Sequence, residues 1–203
     1  MVEERGLSNI TCVPTSFQSQ QLIVEAGLCL SDLIQTPVLD VAFDGADEID
    51  PELNAIKGGG GAHTLEKLVA TAAGYLVLLV DDSKESDVLG TTWAVPVEVI
   101  PAAYVVVTTA LKALGAESAA LRMAKAKAGP VVTDNGNFIL DAAFGPIPGP
   151  EVAAKEAAIN CIPGVVENGI FAGVGKEVYI GTQEGTVSHR CAPGWTTPSS
   201  SSS

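Results

Sequence analysis

The sequence predicts an α/β protein: a parallel-sheet domain with a smaller α+β domain inserted in it. Three observations predict this. Residues 75–80, YLVLLV, form a continuous apolar run of the kind buried on both faces in a parallel sheet. Up to about Trp93, β-rich runs alternate with segments of helical periodicity, as in βαβ units. Beyond Trp93 the texture changes to strands, two helices and an Asn-Gly turn between apolar runs, which marks antiparallel pairing.

In chain order, residues 10–13 read as a short strand, broken by Pro14-Thr15-Ser16. Residues 19–26 read as a helix ended by Gly27. Residues 38–43, VLDVAF, read as a strand that runs into Asp44-Gly45. An acidic loop follows, then Ala55-Ile56-Lys57 and four glycines. From Thr64 the pattern is helical, with Leu65, Leu68, Val69 and Ala72 on one face, and Gly74 stops it. The apolar run at 75–80 ends in Asp81-Asp82-Ser83-Lys84. Residues 95–100 read as a strand and 102–114 as a helix. Residues 131–133 and 138–140 flank Asp134-Asn135-Gly136-Asn137 as a hairpin. Residues 150–161 read as a helix, 165–174 as a strand, and 178–181 as a return to the main sheet. The expected division is therefore 1–93 with 175–190 for the main domain, 94–174 for the insert, and 191–203 for a disordered tail.

Composition narrows the function. Hydrophobic residues are 47% of 203, enough for a core. The formal net charge is −13, with only 11 scattered lysines and arginines. Such a chain repels nucleic acid and anionic membrane surfaces. The run at 75–80 is far short of the ~20 residues of a membrane helix. Residues 1–10 hold no apolar run that would make a secretory signal. Cys12, Cys29, Cys161 and Cys191 show no CxxC spacing and read as ordinary thiols in a reducing compartment. The expectation is a cytoplasmic enzyme of small molecules.

Four constellations carry chemistry, each at the carboxyl end of an expected strand or the start of a helix, where open α/β sheets bind ligands. Asp44 and Asp47 are three apart in a turn, so both carboxylates can face one pocket. Taken alone, that segment is equally a solvated acidic loop. It lacks the glycine and distal glutamate of a calcium-binding EF-hand loop. Lys57 precedes Gly58, Gly59, Gly60 and Gly61, whose amides can approach a ligand closely and open a helix that favours anions. No Gly-Lys-Ser/Thr follows, so this is no P-loop, and contiguous glycines are not the dinucleotide GxGxxG. Glu66, in the first turn of that helix, aims at the same space; alone it also reads as a partner of the helix dipole. Lys84 ends the fourth constellation, which alone is a solvated turn. His63 reads as a neutral or solvated histidine at a helix start rather than a ligand or base, and His189, beside the tail, has the same bland reading. No ligand-spaced His, Cys or carboxylate set points to a metal. Together the pieces suit proton transfer between adjacent carbons of a sugar phosphate. That chemistry needs a carboxylate base, donors for an enediolate oxygen, and cations for the phosphate.

Residues 44–69, DGADEIDPELNAIKGGGGAHTLEKLV, closely resemble the signature segment of type A ribose-5-phosphate isomerases. The likeness continues in register through PTSFQSQQLI, VDDSK, PVEVIP, LRMA, AGPVVTDNGNFILD and IPGVVENGIF, over roughly residues 9–185. The resemblance implies a Rossmann-like domain with a smaller ferredoxin-like α+β domain. It implies interconversion of D-ribose 5-phosphate and D-ribulose 5-phosphate in the non-oxidative pentose phosphate pathway, without metal or other cofactor, in a homo-oligomer (dimer or tetramer). Glu66 matches the family's general base. Asp44 and Asp47 match the carboxylates that hold sugar hydroxyls and help open the ring. Lys57 and Lys84 match lysines near the phosphate and the reacting oxygens, and Gly58, Gly59, Gly60 and Gly61 match the loop whose amides line the site.

One departure stands out. No Gly-x-Gly-Ser-Thr phosphate loop occurs in the sequence, and the family's opening helix and strand have no counterpart. Their absence implies unpaired edges on hydrophobic strands. Two alternatives stand beside an active isomerase: a sugar-phosphate-binding remnant without turnover, motivated by the lost loop, and a dinucleotide-binding α/β domain, suggested only by the glycine loop and the strand–helix alternation.

Overall fold

A computed structural model describes residues 9–198; residues 1–8 and 199–203, which include the serines that end the expected tail, lie outside the described residues. The described residues begin with β1 (Thr11–Cys12), α1 (Phe17–Glu25) and β2 (Cys29–Leu30). α1 begins two residues before its periodicity suggests because Ser16 caps it. The Ser16 hydroxyl accepts the Ser19 N–H at 3.0 Å, and Ser19 Oγ accepts the Ser16 N–H at 2.9 Å. Next come β3 (Ala42–Asp44), β4 (Glu48–Ile49), β5 (Ala55–Ile56), α2 (His63–Ala72) and β6 (Leu76–Asp81). The central stretch holds β7 (Val95–Val99), α3 (Tyr104–Ala113), β8 (Ser118–Leu121), β9 (Phe138–Ala143), α4 (Gly149–Asn160) and β10 (Val165–Asn168). The last strands are β11 (Ile170–Phe171), β12 (Gly175–Gly181) and β13 (Val187–Cys191).

The main sheet has the order β13-β12-β6-β3, with β12, β6 and β3 parallel and β13 antiparallel at one edge. An antiparallel sheet has the order β10-β7-β9-β8. The fold class expected from the sequence is therefore the observed one. Between these sheets lies a small antiparallel sheet, β11-β5-β4. Successive side chains of a strand point to opposite faces. Ile56 and Ile170 accordingly enter the apolar core beneath the antiparallel sheet, while Ala55 and Phe171 enter the core beneath the parallel one. The small sheet is thus a wall shared by two cores.

Three expectations are corrected. The Asn-Gly turn exists, with the Gly136 N–H donating to Thr133 O at 2.9 Å, but residues 131–133 form no strand. β9 pairs with β7 and with β8, an element the sequence reading missed. The single strand expected over 165–174 is divided at Gly169, whose carbonyl accepts the Lys57 N–H and whose N–H donates to Pro96 O. Nor is the chain disordered from residue 191. Cys191 closes β13, and Trp195 packs against Tyr75 and donates to Glu177 at 3.3 Å.

β3 is an edge strand, paired only with β6 among the described residues, and Phe43 is exposed upon it. Beside it a cavity of about 710 Å³ is lined by Ile10, Val13, Ile23, Val38 and Val69. No helix among the described residues is long and apolar enough to cross a membrane.

Glu98 ties the antiparallel sheet to α2. Val95, Val97 and Val99 of β7 point into the apolar core, so Glu98 faces the other way, wholly buried. Its carboxylate accepts from Thr133 Oγ1 at 2.8 Å, Asn135 Nδ2 at 3.1 Å, Asn137 Nδ2 at 2.8 Å and from the Thr64 hydroxyl at the start of α2. Burial alone would raise its pKa. The donors from Thr64, Asn137, Asn135 and Thr133 outweigh burial and hold it below the ordinary 4.5. A depressed folded-state pKa makes this network stabilising above about pH 4.5, and the contribution is lost as pH falls through the depressed value. Glu98→Gln turns an amide toward donors and should lower stability by about 1–3 kcal/mol at neutral pH. Urea unfolding at pH 7 and pH 4 should show the gap between wild type and variant narrowing at the lower pH.

Candidate active site

The site forms where β3, β5 and the start of α2 meet. β3 delivers Asp44 at the carboxyl end of a parallel strand, and the following turn delivers Asp47. β5 delivers Lys57, whose backbone is pinned to Gly169. The first turn of α2 delivers Glu66. A pocket of about 210 Å³ is lined by Asp44, Asp47, Lys57 and Glu66 with Gly58, Gly59 and Gly60.

Lys57 is the centre of this group. It is only 3% exposed, yet its ammonium lies 3.0 Å from Asp44 Oδ2 and 3.1 Å from Glu66 Oε2. It also donates to Gly45 O, and its Nζ sits 5.4 Å from the Phe171 ring centre. The contact with Glu66 is an ion pair without hydrogen-bond alignment, which leaves Glu66 Oε2 with no formal donor. Burial pushes the Glu66 pKa up. Lys57 opposes that, the charges of Asp44 and Asp47 add to it, and the net result lies above the ordinary 4.5. A carboxylate with a raised pKa, beside a cation and open to a cavity, is suited to take and return a proton.

The glycine loop folds over the opposite side. Gly58 has φ +101° and lies against the His63 ring, where a Cβ would come within 2.6 Å of Nδ1. Gly59 donates its N–H to Asp47 Oδ2 at 2.7 Å, and a Cβ there would stand 2.5 Å from Asp47 Oδ1. Only glycine permits both approaches. Gly61 differs from expectation: its N–H turns back to Gly58 O at 2.9 Å, and it does not line the pocket.

Lys84 also stands outside the pocket wall. It follows β6 at the same end of the parallel sheet, with its ammonium 5.8 Å from the Trp93 ring centre. His63 is neutral, as expected, but fully buried rather than solvated. Burial lowers its pKa to about 4, with Lys67 and Arg122 adding to the fall and Glu98 opposing it. His189 pairs with Glu177 at 3.2 Å, away from the site. All four cysteines are free. Among the described residues, no three His, Cys, Asp or Glu side chains converge as metal ligands.

Sequence reasoning missed two contributors. Glu98 holds the start of α2, as described above. Arg122 donates from Nη1 to Gly58 O at 2.8 Å and Gly59 O at 3.1 Å. The only signal for Arg122 was its place in LRMA, one of the segments in register with the family pattern.

Known proteins resemble this chain in both sequence and fold. Residues 11–185 match the family model of ribose 5-phosphate isomerase A (phosphoriboisomerase A). The chain is 52% identical to the ribose-5-phosphate isomerase of Dictyostelium discoideum, over 91% of this chain and 81% of that one. It is 54% identical to ribose-5-phosphate isomerase A of Methanothermobacter thermautotrophicus, over 91% and 79%. Among solved structures, a D-ribose-5-phosphate isomerase in complex with phospho-erythronic acid superposes with a TM-score of 0.88 at 46% identity, over 94% of this chain and 82% of that one. Ribose 5-phosphate isomerase A from Methanocaldococcus jannaschii gives 0.85 at 44% identity, over 94% and 81%.

The ion cluster makes a prediction independent of turnover. Lys57→Met leaves Asp44 and Glu66 side by side without a cation and should destabilise the fold by about 3 kcal/mol at pH 7. Glu66 then has a still higher folded-state pKa, so the loss is full above that value and shrinks as pH falls through it. Thermal unfolding of the variant across pH 4 to 8 checks the direction.

Proposed function

The chain belongs to the ribose 5-phosphate isomerase A family, and we propose that Glu66 is the base with which it moves the proton. It interconverts D-ribose 5-phosphate and D-ribulose 5-phosphate, a step of the non-oxidative pentose phosphate pathway. The observation that carries the assignment of roles is the single pocket in which Glu66, Lys57 and Asp44 meet within ion-pair distance.

The reaction moves hydrogen from C2 of the open-chain aldose to C1 of the ketose. The Glu66 carboxylate removes the C2 proton, and electron density shifts through the C1–C2 bond onto the carbonyl oxygen. The Lys57 ammonium faces that developing charge, with glycine-loop amides beside it. Glu66 then returns the proton to C1 while the C2 hydroxyl loses its own and becomes the ketone. Lys57 relays the oxygen-bound proton between the two positions. Asp44 and Asp47 accept hydrogen bonds from sugar hydroxyls and assist ring opening. Lys84, 5.8 Å from the Trp93 ring centre at the same sheet end, receives the phosphate. No step in this scheme calls for a metal. One neighbour in structure is in complex with phospho-erythronic acid, an acidic sugar phosphate, which supports a sugar-phosphate site here.

The proposal also assigns the catalytic unit to residues 1–93 and 175–190 and the insert to 94–174, a division supported by the separate parallel and antiparallel sheets. It places the enzyme in the cytoplasm as a homo-oligomer. The exposed apolar side chains Ile100, Val105 and Val106 on and beside α3 support an interface there. Light scattering should give a dimer or tetramer.

Ribulose 5-phosphate formation by the purified chain, with EDTA present, tests the activity. Glu66→Gln should lower kcat by about 10²- to 10⁴-fold. A folded wild-type sample that binds ribose 5-phosphate without turnover would contradict the proposal. The base must be ionised, so kcat/KM should fall on the acid side with an apparent pKa above 4.5, the direction in which burial moves Glu66.

A further inference from the structure

Arg122 stands outside the pocket lining, just beyond the end of β8, in the antiparallel sheet rather than the parallel one. Its guanidinium is engaged along both edges. Nε and Nη2 form a bidentate pair with Asp141 of β9 at 2.9 Å and 2.5 Å. Nη1 reaches across to the carbonyl oxygens of Gly58 and Gly59. The side chain is 16% exposed. A planar fork held at one edge by a carboxylate presents its remaining donors in a fixed direction.

A trans peptide is planar, so its C=O and N–H point in opposite directions. Drawing the Gly58 carbonyl toward Arg122 turns the Gly59 N–H away from it, and that N–H meets Asp47, a wall of the pocket. Drawing the Gly59 carbonyl the same way turns the Gly60 N–H in the same sense. Among the described residues the Gly60 N–H has no acceptor, and Gly60 lines the pocket. Glycines have no side chain to hold these peptide planes; the Gly61 N–H on Gly58 O and the Arg122 fork on both carbonyls are the contacts that set them.

Resting on the proton-transfer scheme above, we infer that Arg122 is a positioning residue: by holding the Gly58 and Gly59 carbonyls it sets the Gly59 amide on Asp47 and aims the Gly60 amide at the oxygen that becomes negative in the enediolate. Asp141 is its support. The antiparallel sheet thereby contributes to catalysis although it places no side chain in the pocket wall. The contribution belongs to the transition state, since the Gly60 donor is aimed where charge develops rather than at the neutral carbonyl.

The test compares Arg122→Lys, Arg122→Ala and Asp141→Asn with wild type and with Glu66→Gln. Arg122→Lys keeps the charge and loses the fork. The expected result is a fall in kcat of about 10- to 100-fold with KM changed less than about threefold. Affinity for phospho-erythronate, which carries a negative charge in the ground state, should fall in proportion to kcat. Guanidinium at concentrations too low to unfold the protein should restore kcat of Arg122→Ala, and equal sodium chloride should not. Asp141→Asn, which retains the arginine, should give a smaller loss in the same sense and covers the case in which the Arg122 variants fold poorly. Wild-type kcat in folded Arg122→Lys and Arg122→Ala would overturn the inference, as would a loss seen in KM alone. A fully active Glu66→Gln beside impaired Arg122 variants would instead strike the base assignment and leave the positioning role standing.

Discussion

A lysine kept almost wholly from water beside two carboxylates is the constraint from which the site follows. Lys57 costs desolvation energy wherever it is buried, and only close opposite charges offset that cost. Asp44 and Glu66 do so, and they come from a strand end and a helix start far apart in sequence. The cation therefore fixes where β3, β5 and α2 stand relative to one another. The same arrangement leaves Glu66 short of full pairing, with Asp44 and Asp47 as like-charged neighbours. A fully satisfied carboxylate would be a poor base, whereas burial and the like charges of Asp44 and Asp47 raise the pKa of this one, in keeping with the role proposed for it.

That placement is braced from the antiparallel sheet. Glu98 accepts from Thr64 and so anchors the first turn of α2 two residues before Glu66. Arg122 grips the glycine loop that follows Lys57. The small sheet of β4, β5 and β11 alternates its side chains into both apolar cores, so the segment bearing Lys57 is fixed from two sides. A glycine loop is the part of the chain with the most backbone freedom to lose. Its order here comes from the turn in which the Gly61 N–H donates to Gly58 O and from contacts with Asp47, His63 and Arg122.

The sequence made the parallel part of the fold legible because its signals are local. YLVLLV is an unbroken apolar run and becomes β6, although Leu79 is exposed. The helical periodicity of α2 was legible too, but its buried side chains are His63, Thr64, Lys67, Val69 and Ala70, and Leu68 of the expected apolar face is exposed. The site residues Asp44, Asp47, Lys57 and Glu66 were legible for the same reason: each follows or opens such an element. The failures share a different cause. Residues 131–133 look like half of a hairpin, but Thr133 and Asn137 spend their hydrogen bonds on Glu98, a residue 35 to 39 positions away. β8, SAAL, carries no β-branched residue and is held as a strand by its pairing with β9. Trp195 reads as part of a polar tail, yet its ring finds Tyr75 across the sheet. Arg122 acts on backbone atoms 63 and 64 residues away, and no local pattern announces such a contact. Gly61 and Lys84 were grouped with the site by sequence, but the turn of the loop and the packing on Trp93 set both outside the pocket wall.

The account turns on a carboxylate that carries a proton between two carbons, from a pocket open enough to exchange with water. Conversion of ribose 5-phosphate in D₂O, followed by proton NMR of the carbon-bound hydrogens, tests this most directly. The account predicts deuterium at C1 of the ribulose 5-phosphate formed by wild type and none above background with Glu66→Gln. Product formed at the wild-type rate with no deuterium on carbon would mean that hydrogen passes directly between the carbons, and undiminished deuterium incorporation by Glu66→Gln would mean that another group is the base.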